Sequence, residues 1–286
     1  MRFAVLGGDR RMEILCGLLL RDGHKVSSFA MEKAELLPEV RKCSCLQSCV
    51  YGADCVLLPT PAEKAGLLFN PLSDEIIKMQ ELIPALWKGQ LLCGGKLSPS
   101  TAACAIRNGL NAADIMNDPE FLLENGALTA EGAILKLIEG SEKSICGSRI
   151  LVSGWGRIGK ILSLRLKALG AQVSIAERKT ENRAMAEILG LEALDFSELE
   201  GSIGDFDFIV NTVPQEVIAK AMLCLCKSDA VLLELASAPG GFDRLFGENI
   251  GLKIIHGPGL PGKYSALSAA LIIKDAVYRA IKNLEE

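Results

Sequence analysis

Short apolar runs alternate with stretches in which apolar side chains recur every three or four positions, and this alternation forms two series. In the first, Arg2–Leu6 reads as a strand closed by Gly7-Gly8-Asp9, and Met12, Leu15 and Leu19 mark the helix that follows. Further strands are predicted at Lys25–Phe29, Asp54–Leu58, Gln90–Cys93 and Ala112–Met116, with helices over Asp74–Trp87 and Pro99–Asn108. Asn117-Asp118-Pro119 reads as a break, and Thr129–Glu139 as a helix leading out of this unit. The second series starts at Arg149. It runs through strand Ile150–Ser153, a glycine turn, helix Ile158–Leu169, and strands Gln172–Ala176, Phe208–Asn211, Val231–Glu234 and Lys253–His256. A long helix, Ser265–Leu284, closes the chain with Leu267, Ala270, Leu271 and Val277 on one stripe.

Strands separated by helices argue for parallel sheets covered on both faces. The predicted fold is therefore α/β, with two doubly wound Rossmann-like domains linked by helices, and 286 residues suffice for two such cores. The expected boundaries are a substrate-side domain over 1–128, a nucleotide-binding domain over 129–262 entered by a helix at 129–141, and a terminal helix, 263–286, packing back across both. A cleft between the domains is the expected place of the chemistry.

Charge narrows the partners. Thirty-one Lys and Arg against 35 Asp and Glu leave a net charge of -4, with no basic face to track nucleic acid. No uncharged run reaches 12 residues, whereas a bilayer span needs about 20 apolar ones, so a membrane protein is not expected. Arg2, Asp9, Arg10 and Arg11 interrupt the only candidate signal segment, which predicts a cytoplasmic protein. Ten cysteines accompany only two histidines, and the spacing of Cys43, Cys45, Cys49 and Cys55 matches no standard zinc pattern, so reduced thiols and no metal are expected. Cys224 and Cys226 read as small hydrophobes of a helix.

The clearest chemical signal is Gly154-Trp155-Gly156-Arg157-Ile158-Gly159, a G-x-G-x-x-G that follows a strand and opens a helix. Gly154 serves the tight turn, Gly156 lets backbone approach a pyrophosphate, and Gly159 lets helix and strand pack closely. The helix amino terminus turns free N–H groups toward the phosphates. At the end of the next strand Glu177 suits the ribose hydroxyls of NAD, while Arg178 and Lys179 suit the 2′-phosphate of NADP. NADP is the expected cofactor, with NAD possible. Three glycine- and proline-rich loops are expected to flank the nicotinamide. They are Asn211-Thr212-Val213-Pro214, the Leu235–Gly241 loop with Ala236 and Ser237, and the Gly257–Gly262 loop with Gly259, Leu260 and Pro261. The other glycine turn, Gly7-Gly8-Asp9-Arg10, lacks the third glycine and is assigned to the substrate side.

Leu6-Gly7-Gly8-Asp9-Arg10, Thr129-Ala130-Glu131-Gly132, the Gly154–Gly159 turn, Asn211–Pro214, Leu235-Ala236-Ser237 with Pro239-Gly240-Gly241, and Pro258-Gly259-Leu260-Pro261-Gly262 occur in this order. Together they resemble the family of the dipicolinate synthase A subunit over essentially the whole chain. The resemblance implies an enzyme of the mother cell of a sporulating bacterium. With a flavoprotein-like B subunit, it would oxidise dihydrodipicolinate to dipicolinate using a nicotinamide cofactor. The chain departs from the family after Gly262, where Ala266 and Leu267 stand in place of a proline and a lysine. If that lysine meets a substrate carboxylate, Lys263 or Lys64 must replace it here.

Oxidising a dihydropyridine to a pyridine removes a hydride and a ring proton, and the gain of aromaticity drives it. Glu131, His256 and Ser237 are the candidate catalytic residues, Glu131 as a carboxylate at the start of the linking helix. His24 reads as a surface residue. The substrate-side set is Gly8, Asp9, Arg10, Lys64, Thr129 and Lys263, and a homo-oligomer is expected. Two other functions fit the same residues: a silent nucleotide-binding protein that organises its partner, and a dehydrogenase of the alanine or 2-hydroxyacid type.

Overall fold

A computed structural model describes residues 1–285. The chain forms two compact units, one of Met1–Asn125 with the segment from Ser265 onward, the other of Gly126–Tyr264. The first contains β1 (Arg2–Leu6), β2 (Lys25–Phe29), β3 (Arg41–Lys42), β4 (Cys55–Leu57), β5 (Glu63–Lys64), β6 (Leu67–Leu68), β7 (Leu91–Gly94) and β8 (Asn111–Asp114). Six of these make a parallel sheet in the order β3-β2-β1-β4-β7-β8, and β5 with β6 forms an antiparallel hairpin. Both faces of β1 are buried. Phe3 and Val5 enter one apolar cluster and Ala4 and Leu6 another, which is what a central parallel strand covered on both sides requires.

The second unit repeats the plan with β9 (Arg149–Ser153), β10 (Gln172–Ala176), β11 (Glu192–Leu194), β12 (Phe208–Asn211), β13 (Val231–Glu234) and β14 (Lys253–His256). Their order is β11-β10-β9-β12-β13-β14, all parallel. Ile150 and Val152 face one core and Leu151 the other. The strand order reverses at β9, so a crevice opens beyond the carboxyl ends of β9 and β12, where open α/β sheets bind ligands.

Four expectations need correction. Asp74–Trp87 is not one helix: only Met79–Leu82 is helical, followed by a tight turn at Ile83–Ala85. Pro84 explains the stop, because it has no N–H to continue the ladder. Asn117-Asp118-Pro119 does not end structure but begins it, since one helix runs from Pro119 to Gly140. Asp118 caps it, its Oδ1 accepting from the N–H groups of Glu120 (2.9 Å) and Phe121 (3.3 Å), and Pro119 occupies the first turn, where a missing N–H costs nothing. The terminal helix, Ala266–Glu285, packs within the first unit against the helix Arg10–Arg21. It buries Ile273, Ala276 and Val277, while Leu267 and Leu271 of the expected stripe are exposed. All ten cysteines are free thiols, and Cys224 is exposed.

Candidate functional site

The helix Arg157–Ala168 starts at Gly156, which offers no side chain to its first N–H groups. Those donors are therefore left for a ligand. Each glycine of the turn has a distinct setting. Gly154 has φ +87°, and a Cβ there would lie 2.6 Å from Val213 Cγ2 and 2.7 Å from Thr212 Oγ1. A Cβ on Gly159 would lie 2.1 Å from the carbonyl oxygen of Gly154, so only glycine allows helix and turn to meet. A Cβ on Gly156 would meet no protein atom within 4 Å. The protein's own packing therefore does not require glycine at 156.

Glu177, at the end of β10, turns its carboxylate back onto this turn. Its Oε2 accepts from the N–H of Trp155 at 3.2 Å and its Oε1 from the N–H of Lys179 at 3.0 Å. Burial opposes its charge, but the N–H donors of Lys179 and Trp155 outweigh it and hold Glu177 below the usual carboxylate range. Arg183 braces the segment through the carbonyls of Glu177 and Arg178, both at 2.7 Å, and through Asp195 at 2.8 Å. The Arg178 and Lys179 side chains are exposed.

At the strand ends beyond the switch point lies a row of polar residues. Ser153, Asn211, Glu234 and His256 hold matching register positions on β9, β12, β13 and β14. Ser153 Oγ donates to Asn211 Oδ1 at 2.7 Å, and Asn211 Nδ2 donates to Glu234 Oε1 at 2.7 Å. Glu234 also accepts from the N–H groups of Ala236 (2.9 Å) and Gly241 (2.8 Å), and so ties down the Leu235–Gly241 loop. Asn211 bonds both ends of Val213 and fixes the other loop. Gly241 must be glycine, because a Cβ there would overlap the Asn211 amide at 2.2 Å. Thr212 donates its hydroxyl to the carbonyl of Ser153 at 2.8 Å, joining that loop to the glycine turn. Pro214 and Ser237 are exposed beyond these anchors.

Several expected site residues serve packing instead. Trp155 is buried among Leu260 and the second unit's core, so only its backbone faces the turn; its indole N–H has no hydrogen-bond partner among the described residues. Leu260 and Pro261 are buried, Leu260 against Gly132, where a Cβ would lie 2.7 Å from Leu260 Cβ. Gly259 has φ +65° and turns the chain into the short helix Leu260–Tyr264, which carries the exposed Lys263. Glu131 lies in the middle of the Pro119–Gly140 helix, not at its start, and is ion-paired with Arg165 at 3.3 Å. Thr129 is buried in the same helix, and His256 is exposed at the end of the edge strand β14.

In the first unit, Gly8 has φ +103° and Asp9 caps the helix Arg10–Arg21 by accepting from the N–H of Arg11. Asp9 is further committed to Arg11, whose Nη2 lies 2.8 Å from Oδ2. Arg10 is exposed beside Glu13 at 3.9 Å, and Lys64 Nζ lies over the Phe69 ring at 4.6 Å. His24 is half-buried, its Nε2 3.1 Å from the hydroxyl of Tyr278. Sequence reasoning missed Arg11 and Glu234. Both look like ordinary polar residues at an element's end, and only burial distinguishes them.

Residues 2–116 match the family of the N-terminal domain of the dipicolinate synthase A subunit. Over its full length the chain is 25% identical to the dipicolinate synthase A subunit of Bacillus subtilis (strain 168), covering 97% of that protein. The chain is a relative of the dipicolinate synthase A subunit. The crystal structure of that protein from Bacillus halodurans superimposes with a TM-score of 0.87 at 25% identity, covering 97% of this chain and 96% of that one. Residues 128–239 match the NAD-binding domain of D-isomer specific 2-hydroxyacid dehydrogenases. This dipicolinate synthase relative thus carries a dehydrogenase-type nicotinamide-binding domain, and the glycine turn fits that cofactor. A transhydrogenase from Sinorhizobium meliloti shares the fold, with a TM-score of 0.72 at 15% identity. Among the described residues no helix is long and apolar enough to cross a membrane.

Proposed function

We propose that the protein oxidises dihydrodipicolinate to dipicolinate, pyridine-2,6-dicarboxylate, for spore formation, removing hydrogen from a CH–CH donor. The observation that carries this reading is likeness along the entire chain to the A subunit of dipicolinate synthase, joined to a glycine turn built for a dinucleotide. When bound, the nicotinamide accepts the hydride. The N–H groups at the start of the helix Arg157–Ala168 would hold the pyrophosphate, Glu177 would accept from ribose hydroxyls, and the loops anchored by Asn211 and Glu234 would line the nicotinamide. Ser237, which follows β13, and His256, which ends the adjacent β14, are the proposed polar contacts beside it. Glu131 belongs to the same proposal as an acid–base group, its ion pair with Arg165 notwithstanding. So do the substrate contacts of Gly8, Arg10, Lys64, Thr129 and Lys263, whereas Asp9 serves as helix cap and partner of Arg11.

The preferred cofactor in this proposal is NADP, supported by the exposed Arg178 and Lys179. One observation favours NAD instead: the Glu177 carboxylate, held against the turn, would repel a 2′-phosphate. Comparing the Kd of NADP and NAD decides between them. The proposal extends to a flavoprotein-like partner, the B subunit of the synthase, to a homo-oligomer and to the cytoplasm of a sporulating mother cell. The test is to supply freshly made dihydrodipicolinate with NADP or NAD, with and without that flavoprotein-like partner, and follow the absorbance of reduced nicotinamide. No change under any of these conditions refutes the enzyme and leaves a silent nucleotide-binding protein. Turnover of alanine or a 2-hydroxyacid instead would reassign the substrate.

A further inference from the structure

Glu234 is 6% exposed and carries no ion pair among the described residues. All its hydrogen-bond partners are neutral: the Asn211 side-chain amide on Oε1, the Ala236 N–H on Oε1 and the Gly241 N–H on Oε2. Both oxygens accept, and none of the three contacts offers the group an acceptor for a proton of its own. The arrangement is built around it, since a Cβ on Gly240 would lie 2.8 Å from Oε2 and one on Gly241 would strike the amide that holds Oε1. His256, its register neighbour on β14, makes no hydrogen bond to it. The result is a carboxylate held by neutral donors alone at the carboxyl ends of β12 and β13, beside the loops assigned to the nicotinamide.

A nicotinamide ring is cationic when oxidised and neutral when reduced. Resting on the dehydrogenase reading above, we infer that Glu234 sets the protein's preference between the two redox forms of its cofactor, its charge favouring the oxidised one. Neutral donors position the carboxylate without cancelling its charge, and burial keeps solvent from screening it. An oxidising enzyme gains from this bias, because it must take up the oxidised cofactor and release the reduced one.

The experiment measures Kd for the oxidised and reduced forms of the preferred cofactor by calorimetry, in the parent protein, Glu234→Gln and Glu234→Asp. The parent should bind the oxidised form at least as tightly as the reduced. Glu234→Gln should weaken the oxidised form about five- to tenfold relative to the reduced, the scale of one unit charge acting through protein at moderate distance. Glu234→Asp should keep the parent ratio even if the shorter side chain weakens both forms, because it keeps the charge. A merely structural role would lower both affinities together and leave the ratio unmoved in both variants. Tighter binding of the reduced form by the parent, or equal ratios in Gln and Asp variants, overturns the inference. If Glu234→Gln fails to fold, Glu234→Ala takes its place as the uncharged variant, and an unmoved ratio there overturns the inference. A parent that binds neither form refutes the dehydrogenase reading itself.

Discussion

Gly156→Val separates binding from folding at the glycine turn. Gly156 has φ -77° and ψ -162°, extended backbone that valine adopts freely, and its added Cβ would meet no protein atom within 4 Å. Stability should therefore change by no more than about 1 kcal/mol, the range of substitutions at a helix cap of permitted conformation. Affinity should change far more. The new methyl groups would stand in front of the N–H groups that open the helix Arg157–Ala168, and each charge-assisted bond to phosphate is worth about 1.5–3 kcal/mol. Losing one or two of them weakens dinucleotide binding by about ten- to ten-thousandfold or more. Gly159→Val provides the contrast: its Cβ would lie 2.1 Å from the Gly154 carbonyl oxygen, so overpacking should cost roughly 1–3 kcal/mol or more of stability. The assay pairs calorimetric titration with denaturant unfolding for each variant. Unchanged affinity in a folded Gly156→Val protein, or a loss of affinity matched by a loss of stability, would refute the reasoning.

Arg178→Ala should weaken NADP at least about tenfold more than NAD, since the 2′-phosphate that the proposal assigns to Arg178 exists only in NADP; equal weakening would show that it only stacks or packs. Asp207 accepts from the N–H of Arg149 and from Lys227 and Lys143, and although burial opposes its charge, these donors pull its carboxyl down to about 2. Between the ordinary value of 3.8 and about 2 the folded state holds fewer protons than the unfolded chain. The stability this group contributes, about 2 kcal/mol, is complete above that window and lost as pH falls through it. Asp207→Asn should remove it at neutral pH and flatten the acid limb of an unfolding-versus-pH curve. Glu131→Gln breaks an exposed pair with Arg165 and should cost under about 1 kcal/mol of stability. A fall in turnover with unchanged cofactor affinity would keep Glu131 in the catalytic proposal, and full activity would remove it.

The turn from β9 into its helix was legible because everything that specifies it is local: an apolar run, three glycines at fixed offsets, and an amphipathic stretch directly after. Five strands of each sheet were legible from their short apolar runs, whereas the edge strands β3 and β11, short and not buried on both faces, were not. Helix extents were less so. Asp118 and Pro119 read alike whether they end a segment or cap one, and only the continuation through Gly126, beside Ile161, and Gly132, against Leu260, shows which. The terminal helix offers apolar residues on more than one side, and packing against Arg10–Arg21 selected Ile273 and Val277 while leaving Leu267 and Leu271 outside. Glu131 gained its arginine from a helix more than thirty positions away in the chain. Glu234 gained its amide from β12, 23 residues earlier, and its loop anchors from the N–H groups of Ala236 and Gly241 beyond it. A sequence states which side chains carry charge. Whether a charge is buried, and whether anything neutralises it, depends on which distant strands a parallel crossover brings side by side, and that was decided only by the tertiary structure.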